Sequence, residues 1–295
     1  MSSHKTYPLS RSPLYRLRNR KKLAKLLCVE LSYFNKEHRY SYRHFVEPKP
    51  NGGDRHFADP PDRLKKIQKR INRLLQRIET PKWVKSGKKG ESYITNGMAH
   101  LSADYVRTMD ISHFYDSVRR DSVYHLFRYT FKMADDIATI ITNLVLDGYI
   151  LPTGSPTSQL VAFWAYKEMF EEIKKLADKY DCNFTLYVDD MTFSSSDPIP
   201  YSLRNDVNEI LHKYKLNAKR SKDNYYKKND FKIVTGVAFF GDEADVPNPK
   251  KKELVNLYRE YRLEKSSLDR PSAEGKMIAV RQIKPSIFPS IKFDE

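Results

Sequence analysis

The 295-residue chain has little cysteine, a shortage of acid and no long apolar run. Its two cysteines, Cys28 and Cys182, stand far apart and outside any metal-ligand spacing. That excludes a disulfide framework and a thiolate metal site, and reads as two buried thiols in a reducing cytosol. The most apolar stretch, around Ile137 to Val145, is too short to span a bilayer. Met1 to Ser12 is polar and has no signal-peptide core, so a cytoplasmic protein with no membrane partner is expected. Internal repeats and low-complexity linkers are absent as well. The deficit of acid matters most: 37 Asp and Glu face 53 Lys and Arg, a net charge of +16. Such a surplus attracts polyanions, and nucleic acid is the commonest of them. An anionic membrane fits less well, because no basic amphipathic helix carries a Trp/Phe-rich apolar face.

Enough apolar residues are present for a packed fold, at 40% of the chain, and the 20 tyrosines suit stacked or wet positions. Residues 11–27 mix Arg and Lys with Leu14, Leu17, Leu23, Leu26 and Leu27, as in a basic helix lying on the body. Asn51-Gly52-Gly53 between short polar runs predicts a hairpin. Leu64, Ile67, Ile71, Leu74, Leu75 and Ile78 predict a helix from Asp62 that Pro81 ends. Its other face, Arg63, Lys65, Lys66, Lys69, Arg70, Arg73 and Arg77, includes no acid and is read as facing phosphates. Further on, the pattern predicts a strand at Tyr105–Ile111, helices near 121–131 and 135–147, and a loop over Leu151–Ser158. A long helix at 159–179, two short strands over Phe184–Phe193, a helix at 203–214, one strand at Lys232–Phe240 and a helix at 251–264 follow. The tail after Pro285 has little pattern. This mixture predicts an α+β fold around a modest antiparallel sheet.

Asp189-Asp190 is the costly feature. Two carboxylates side by side, flanked by Phe184, Leu186, Val188, Met191 and Phe193, repel unless a cation neutralises them. A hard divalent ion, Mg²⁺, is the economical choice. Asp110, at the end of the apolar strand carrying Val106 and Met109, is the candidate third ligand of a two-metal site.

These residues carry a resemblance. Tyr187-Val188-Asp189-Asp190 resembles the Tyr-X-Asp-Asp box of reverse transcriptases, and Met109 through Val118 resembles their first catalytic box. Leu151 through Ser158 resembles the nucleotide-binding loop, Asn217-Ala218-Lys219-Arg220-Ser221 the box after the Asp-Asp hairpin, and Arg55 through Gln68 the fingers. The match runs from roughly residue 40 to 285. It implies a right-hand polymerase with fingers, palm and a short helical thumb. The resemblance also implies that Asp110, Asp189 and Asp190 are catalytic and hold two Mg²⁺ ions, with Ile111 in the metal set. Tyr115 would exclude a 2′-hydroxyl and so select dNTPs. Gly154, Ser155 and Pro156 would approach the nucleotide, Arg55 with Lys49 would contact its triphosphate, and Lys219 or Arg220 would neutralise pyrophosphate. Thr153 departs from the family, which often has Gln there.

Asn96-Gly97-Met98-Ala99-His100 resembles the Asn-Ala-X-X-His element of retron reverse transcriptases, with Gly97 in place of Ala, and Val234-Thr235-Gly236 matches the triplet of the same group. The resemblance implies that Asn96, His100, Val234, Thr235 and Gly236 serve a cognate retron non-coding RNA (msr-msd). It further implies priming from a guanosine 2′-hydroxyl, a branched msDNA product, and an accessory effector protein in anti-phage defence. The division expected is 1–35 basic N-terminal helical segment, 36–240 fingers and palm, 241–295 short thumb and tail. At this length no endonuclease, RNase H-like, integrase or maturase domain is expected. A group II intron-like or other bacterial reverse transcriptase, and an RNA-binding scaffold restraining a toxin effector, are the alternatives.

Overall fold

The computed structural model describes residues 6–34, 41–48, 53–263 and 270–291. In chain order these form α1 (Arg20–Leu27), β1 (Arg43–Pro48), β2 (Asp54–Asp59), α2 (Asp62–Leu75), α3 (Tyr93–Met98), β3 (Tyr105–Asp110), α4 (Phe114–Ser117), α5 (Arg120–His125) and α6 (Asp135–Val145). There follow α7 (Ser158–Ala165), α8 (Lys167–Lys179), β4 (Asn183–Tyr187), β5 (Asp190–Ser195), α9 (Tyr201–Lys213), β6 (Asn224–Tyr226), β7 (Lys232–Val234), β8 (Val237–Phe240), β9 (Glu243–Asp245), α10 (Asn248–Leu263) and α11 (Arg270–Ile283).

Four antiparallel strands in the order β4-β5-β3-β6 make the central sheet. Its inward side chains, Met109, Phe184, Leu186, Met191 and Phe193, join the main core with α2 and α5 through α9. Alternation along β5 puts Met191 and Phe193 on the helix side; on β3, Met109 faces the helices and Val106 packs with Val234 and Phe239 on the other side, and the strand ends carry the carboxylates. The N-terminal segment belongs to this core, for Leu14, Leu17, Leu23 and Leu27 are buried in it. A second cluster joins Ile94, Val237, Val246, Leu254, Met277, Val280 and Ile283, and so ties α10 and α11 to α3 and β8.

Several sequence expectations need correction. α2 ends at Leu75, before Ile78, which is buried instead through a parallel bridge to Tyr7. The helix expected at 121–131 is α5 followed by a wider π-type turn over Leu126–Thr130. Residues 159–179 are two helices. Tyr166 breaks them at φ −112°, with its hydroxyl donating to the Ser117 carbonyl at 3.2 Å and its ring 5.8 Å from Phe114. Lys232–Phe240 is a hairpin, because Thr235 (φ 45°) and Gly236 (φ 85°) turn the chain between β7 and β8. α11 was not legible at all. Cys182 is buried as expected, but Cys28 is exposed, since it caps α1 in the left-handed region and turns outward. The Asn51-Gly52 turn lies outside the described residues, although the hairpin it was expected to join is formed.

Candidate active site

β3 and β5 pair so that Asp110 lies directly opposite Asp190, and the Ile111 amide donates to the Asp189 carbonyl at 3.3 Å. The result is a convergence of Asp110, Asp189 and Asp190, with one carboxylate oxygen of each within 4.8 Å of the others. Ile111 is buried and bridges Ala218, which fixes the strand end behind the trio. A two-residue turn, Val188-Asp189, links β4 to β5, and Val188 sits at φ 62°, a strained conformation for a β-branched residue. The neighbouring segment holds it there. The Val188 amide donates to Ser86 Oγ at 3.0 Å, Lys85 N–H to the Leu186 carbonyl at 2.8 Å and Leu186 N–H to the Trp83 carbonyl at 2.9 Å.

The electrostatics show unmet demand for positive charge. Burial, then the charge of Asp110, pushes the Asp189 carboxyl up to about 6, while Lys222 and Arg55 pull the other way. Asp190 is raised by burial and then by Asp189 and Asp110. Among the described residues the cation in contact with the trio is Lys222, whose Nζ donates to Asp110 Oδ2. Burial works to lower that ammonium, but the Asp110 bond and the three carboxylates carry it above its ordinary value. Its loop is braced from behind, where Asp223 accepts from Arg107 at 2.6 Å and also pairs with Arg204. The Lys219 amide donates to the Asp110 carbonyl at 2.7 Å. Lys222 lies two residues beyond the Lys219-Arg220 pair that the sequence pattern singles out. The signal was there, because the same basic run continues to it. Neither the Lys219 nor the Arg220 side chain bonds to the trio among the described residues.

Tyr115, at the start of α4, lies against the site. Burial first, then the charges of Asp189 and Tyr187, raise its hydroxyl above the usual tyrosine range. Arg55 projects exposed from β2, close enough for its charge to act on Asp189. Lys49 lies outside the described residues. The Leu151–Ser158 loop is tied to β2 by the Ala58 amide, which donates to the Thr153 carbonyl at 2.9 Å. Gly154 adopts φ 106° and is exposed, with the position of a Cβ 3.5 Å from the Ala58 carbonyl oxygen. Pro156 is half-buried in the same loop. Ser155 is turned inward. Its hydroxyl donates to Gln68 Oε1 at 2.8 Å, and the Gln68 amide donates to Tyr42 and to the Leu144 carbonyl, both at 2.9 Å. Its side chain therefore holds the loop to α2.

Of the five residues expected to serve RNA, Asn96, His100 and Val234 are buried in the protein, and Thr235 and Gly236 are half-buried. Asn96 Nδ2 donates to Thr235 Oγ1 at 3.2 Å, and Thr235 Oγ1 donates to the Tyr93 carbonyl at 2.8 Å. Val234 is fully buried, and Gly236 provides the turn under Lys250. His100 is 1% exposed and lies 2.7 Å from both Thr185 Oγ1 on β4 and Ser194 Oγ on β5. Burial, then the charge of Lys85, pushes it down to about 3, so it is a neutral imidazole tying the two strands that carry the Asp-Asp turn. In this conformation Asn96, His100 and Val234 offer no side-chain surface to RNA. They lock α3 to the β7–β8 turn and to the central sheet.

No family model matches the chain. Over 213 residues it is 27% identical to the Retron Se72 reverse transcriptase of Salmonella heidelberg (strain 579083-10), covering 68% of this chain and 55% of that protein. Over 269 residues it is 24% identical to the Retron Mx65 reverse transcriptase of Myxococcus xanthus, covering 84% and 63%. The chain spans between 51% and 63% of the length of the first curated relatives it matches. In fold it is similar to telomerase from Candida albicans, solved with a fragment of telomeric RNA. That match has a TM-score of 0.53 at 13% identity and covers 85% of this chain and 54% of the other. The chain is thus a sequence relative of the retron reverse transcriptases, built on the reverse-transcriptase type of polymerase fold.

Proposed function

We propose that the protein is an RNA-directed DNA polymerase of the retron type, dependent on two Mg²⁺ ions. The observation that carries this reading is the convergence of Asp110, Asp189 and Asp190 at facing ends of β3 and β5. An all-carboxylate donor set suits a hard divalent cation, and the raised Asp189 carboxyl marks a cluster short of positive charge. Ions held there would activate the primer hydroxyl and stabilise the leaving pyrophosphate. Around them, Tyr115 forms the wall that meets the sugar of a dNTP, and Arg55 reaches toward its phosphates, a role suited to a planar guanidinium. Gly154 lets the backbone of its loop approach the nucleotide. We assign the positive charge facing pyrophosphate to Lys222, ahead of Lys219 and Arg220, because among the described residues it is the one that contacts the trio.

The finer reading follows the relatives. Residues 36–240 serve as fingers and palm and 241–295 as thumb. The template is a cognate msr-msd RNA, the product a branched msDNA primed from a guanosine 2′-hydroxyl, and an accessory effector works with the complex in anti-phage defence in the cytoplasm. Among the described residues no helix is long and apolar enough to cross a membrane. The test is direct. Nucleic acid that co-purifies with the wild type, after RNase treatment, should contain a discrete single-stranded DNA carrying a few ribonucleotides, and the enzyme should extend a primer on RNA only with Mg²⁺. Asp189→Asn should abolish both while RNA still co-purifies. Absence of both activities from the wild type would sink the reading.

A further inference from the structure

α2 presents two chemically distinct faces. Gln68 reaches Ser155 of the nucleotide loop from one of them. At 3.6 residues per turn, Arg63, Lys66, Arg70 and Arg73 fall on the opposite face, and Arg77 continues their line just past the helix end. Two clefts open along this stripe and share Arg70 and Arg73. One, of about 1180 Å³, lies between the end of α2 and the segment carrying Lys88 and Lys89. The other, of about 530 Å³, lies against the end of α1 and is bordered by Arg63 and Lys66.

The arginines are set in place without losing their charge to carboxylates. Arg63 lies 4.6 Å over the Tyr33 ring, Arg77 lies 5.1 Å over Tyr7, and Arg70 Nε donates to the Leu26 carbonyl at 2.8 Å. Among the described residues no ion pair engages Lys66, Arg73 or Lys89, and Glu30 and Glu79 are the only acids lining the clefts. Cations this dense and this poorly compensated repel one another unless a polyanion lies among them.

We propose that this face of α2 is a second nucleic-acid surface, separate from the catalytic cleft, which holds the phosphate backbone of folded RNA. Partnering with RNA rests on the polymerase reading above; the polyanion site itself rests on the stripe. Pre-set guanidinium groups suit bidentate phosphate contact, and the two joined clefts can follow consecutive phosphates.

The test uses the full chain and a labelled RNA hairpin of generic sequence, with affinity measured as a function of salt. Arg73→Glu with Lys89→Glu should weaken binding at least tenfold at 0.15 M salt. It should also lower the slope of log affinity against log salt by roughly two, near one for each phosphate no longer neutralised. Mg²⁺-dependent extension of a primer already annealed to a short RNA template should keep its rate and its KM for dNTP, which also shows that the variant is folded. Lys175→Glu with Lys215→Glu makes the same charge change elsewhere and should leave both measurements near wild type. Unchanged affinity and slope in the groove variant, or an equal loss in the control, would overturn the proposal. So would loss of extension by a groove variant of unaltered thermal stability, which would place the stripe in the catalytic cleft. Competition by poly-glutamate as strong as by RNA would replace RNA with an acidic protein partner. If the wild type binds the hairpin through the groove yet extends no primer, the polymerase reading fails and the groove stands.

Discussion

Replacing one of the three carboxylates with its neutral isostere should make the metal-free protein more stable, the reverse of what removing a buried ionic group usually does. Asp189 titrates at about 6 in the folded protein against an ordinary 3.8. Folding therefore opposes ionisation of this group, and the penalty has a defined pH window. It is absent below the unfolded value, grows as pH rises from 3.8 to about 6, and is constant above. At about 1.4 kcal/mol per pH unit the full penalty is roughly 3 kcal/mol at neutral pH, an upper figure because Asp189 is only half-buried. Asp189→Asn keeps the shape, removes the charge and relieves Asp190, which Asp189 also raises. In EDTA at pH 8 the variant should exceed wild type by about 2–3 kcal/mol in urea unfolding. The two curves should converge near pH 4. Tryptophan emission is a suitable probe, since Trp83 packs 5.5 Å from Phe184 on the strand leading into the site. Adding Mg²⁺ should stabilise the wild type and leave the variant nearly unmoved, so the gap closes or inverts. A variant that is less stable than wild type in EDTA at pH 8, or a difference independent of pH, would refute the view that these carboxylates are held in repulsion.

Gly97→Ala should destabilise by about 2–4 kcal/mol, because the new Cβ would lie 2.6 Å from Val237 Cβ and 2.9 Å from the Val234 carbonyl oxygen. Val237→Gly, which removes the Cβ that the new methyl meets, should restore part of that loss when added to it, measured as non-additivity in a double-mutant cycle of unfolding free energies. His100, neutral down to about 3 against an ordinary 6.5, contributes stability that is complete above pH 6.5 and falls away as pH drops toward 3. His100→Ala should lose that acid dependence and cost about 3–5 kcal/mol, since Thr185 and Ser194 are left with buried, unpartnered hydroxyls; far-UV circular dichroism against urea at pH 5 and 8 reads both effects. On the polymerase reading, Tyr115→Val should raise incorporation of ribonucleotides relative to dNTPs by at least tenfold in single-nucleotide extension, with Mg²⁺ stabilisation of the protein unchanged.

What could be read from the chain follows the range of the interactions involved. The carboxylates were legible because their expense is local: Asp189 and Asp190 are adjacent, and Asp110 ends a short strand that carries the apolar Val106 and Met109. The β1–β2 hairpin and α2 were legible for the same reason, each being written in a few turns or pairs. Lys222 was not, because its importance lies in reaching Asp110, 112 residues earlier, across a loop whose conformation is set by Asp223 between two arginines. The break at Tyr166 was hidden for the same cause, since a ring contact with Phe114 and a bond to Ser117 override a helical pattern that runs through it. The retron-like motifs show the effect most plainly. Asn96 and Thr235 are 139 residues apart in sequence and bonded in space, and His100 closes on β4 and β5 from just past the end of α3. A motif spelled with polar residues invites a reading as ligand contact. Here the Asn96 amide nitrogen and the His100 ring are turned inward, fastening the β7–β8 turn and the Asp-Asp hairpin to one short helix and the residues just past it. On the polymerase reading, the surface left for RNA is that of the exposed cations around this framework, and the motif acts by keeping the framework in register.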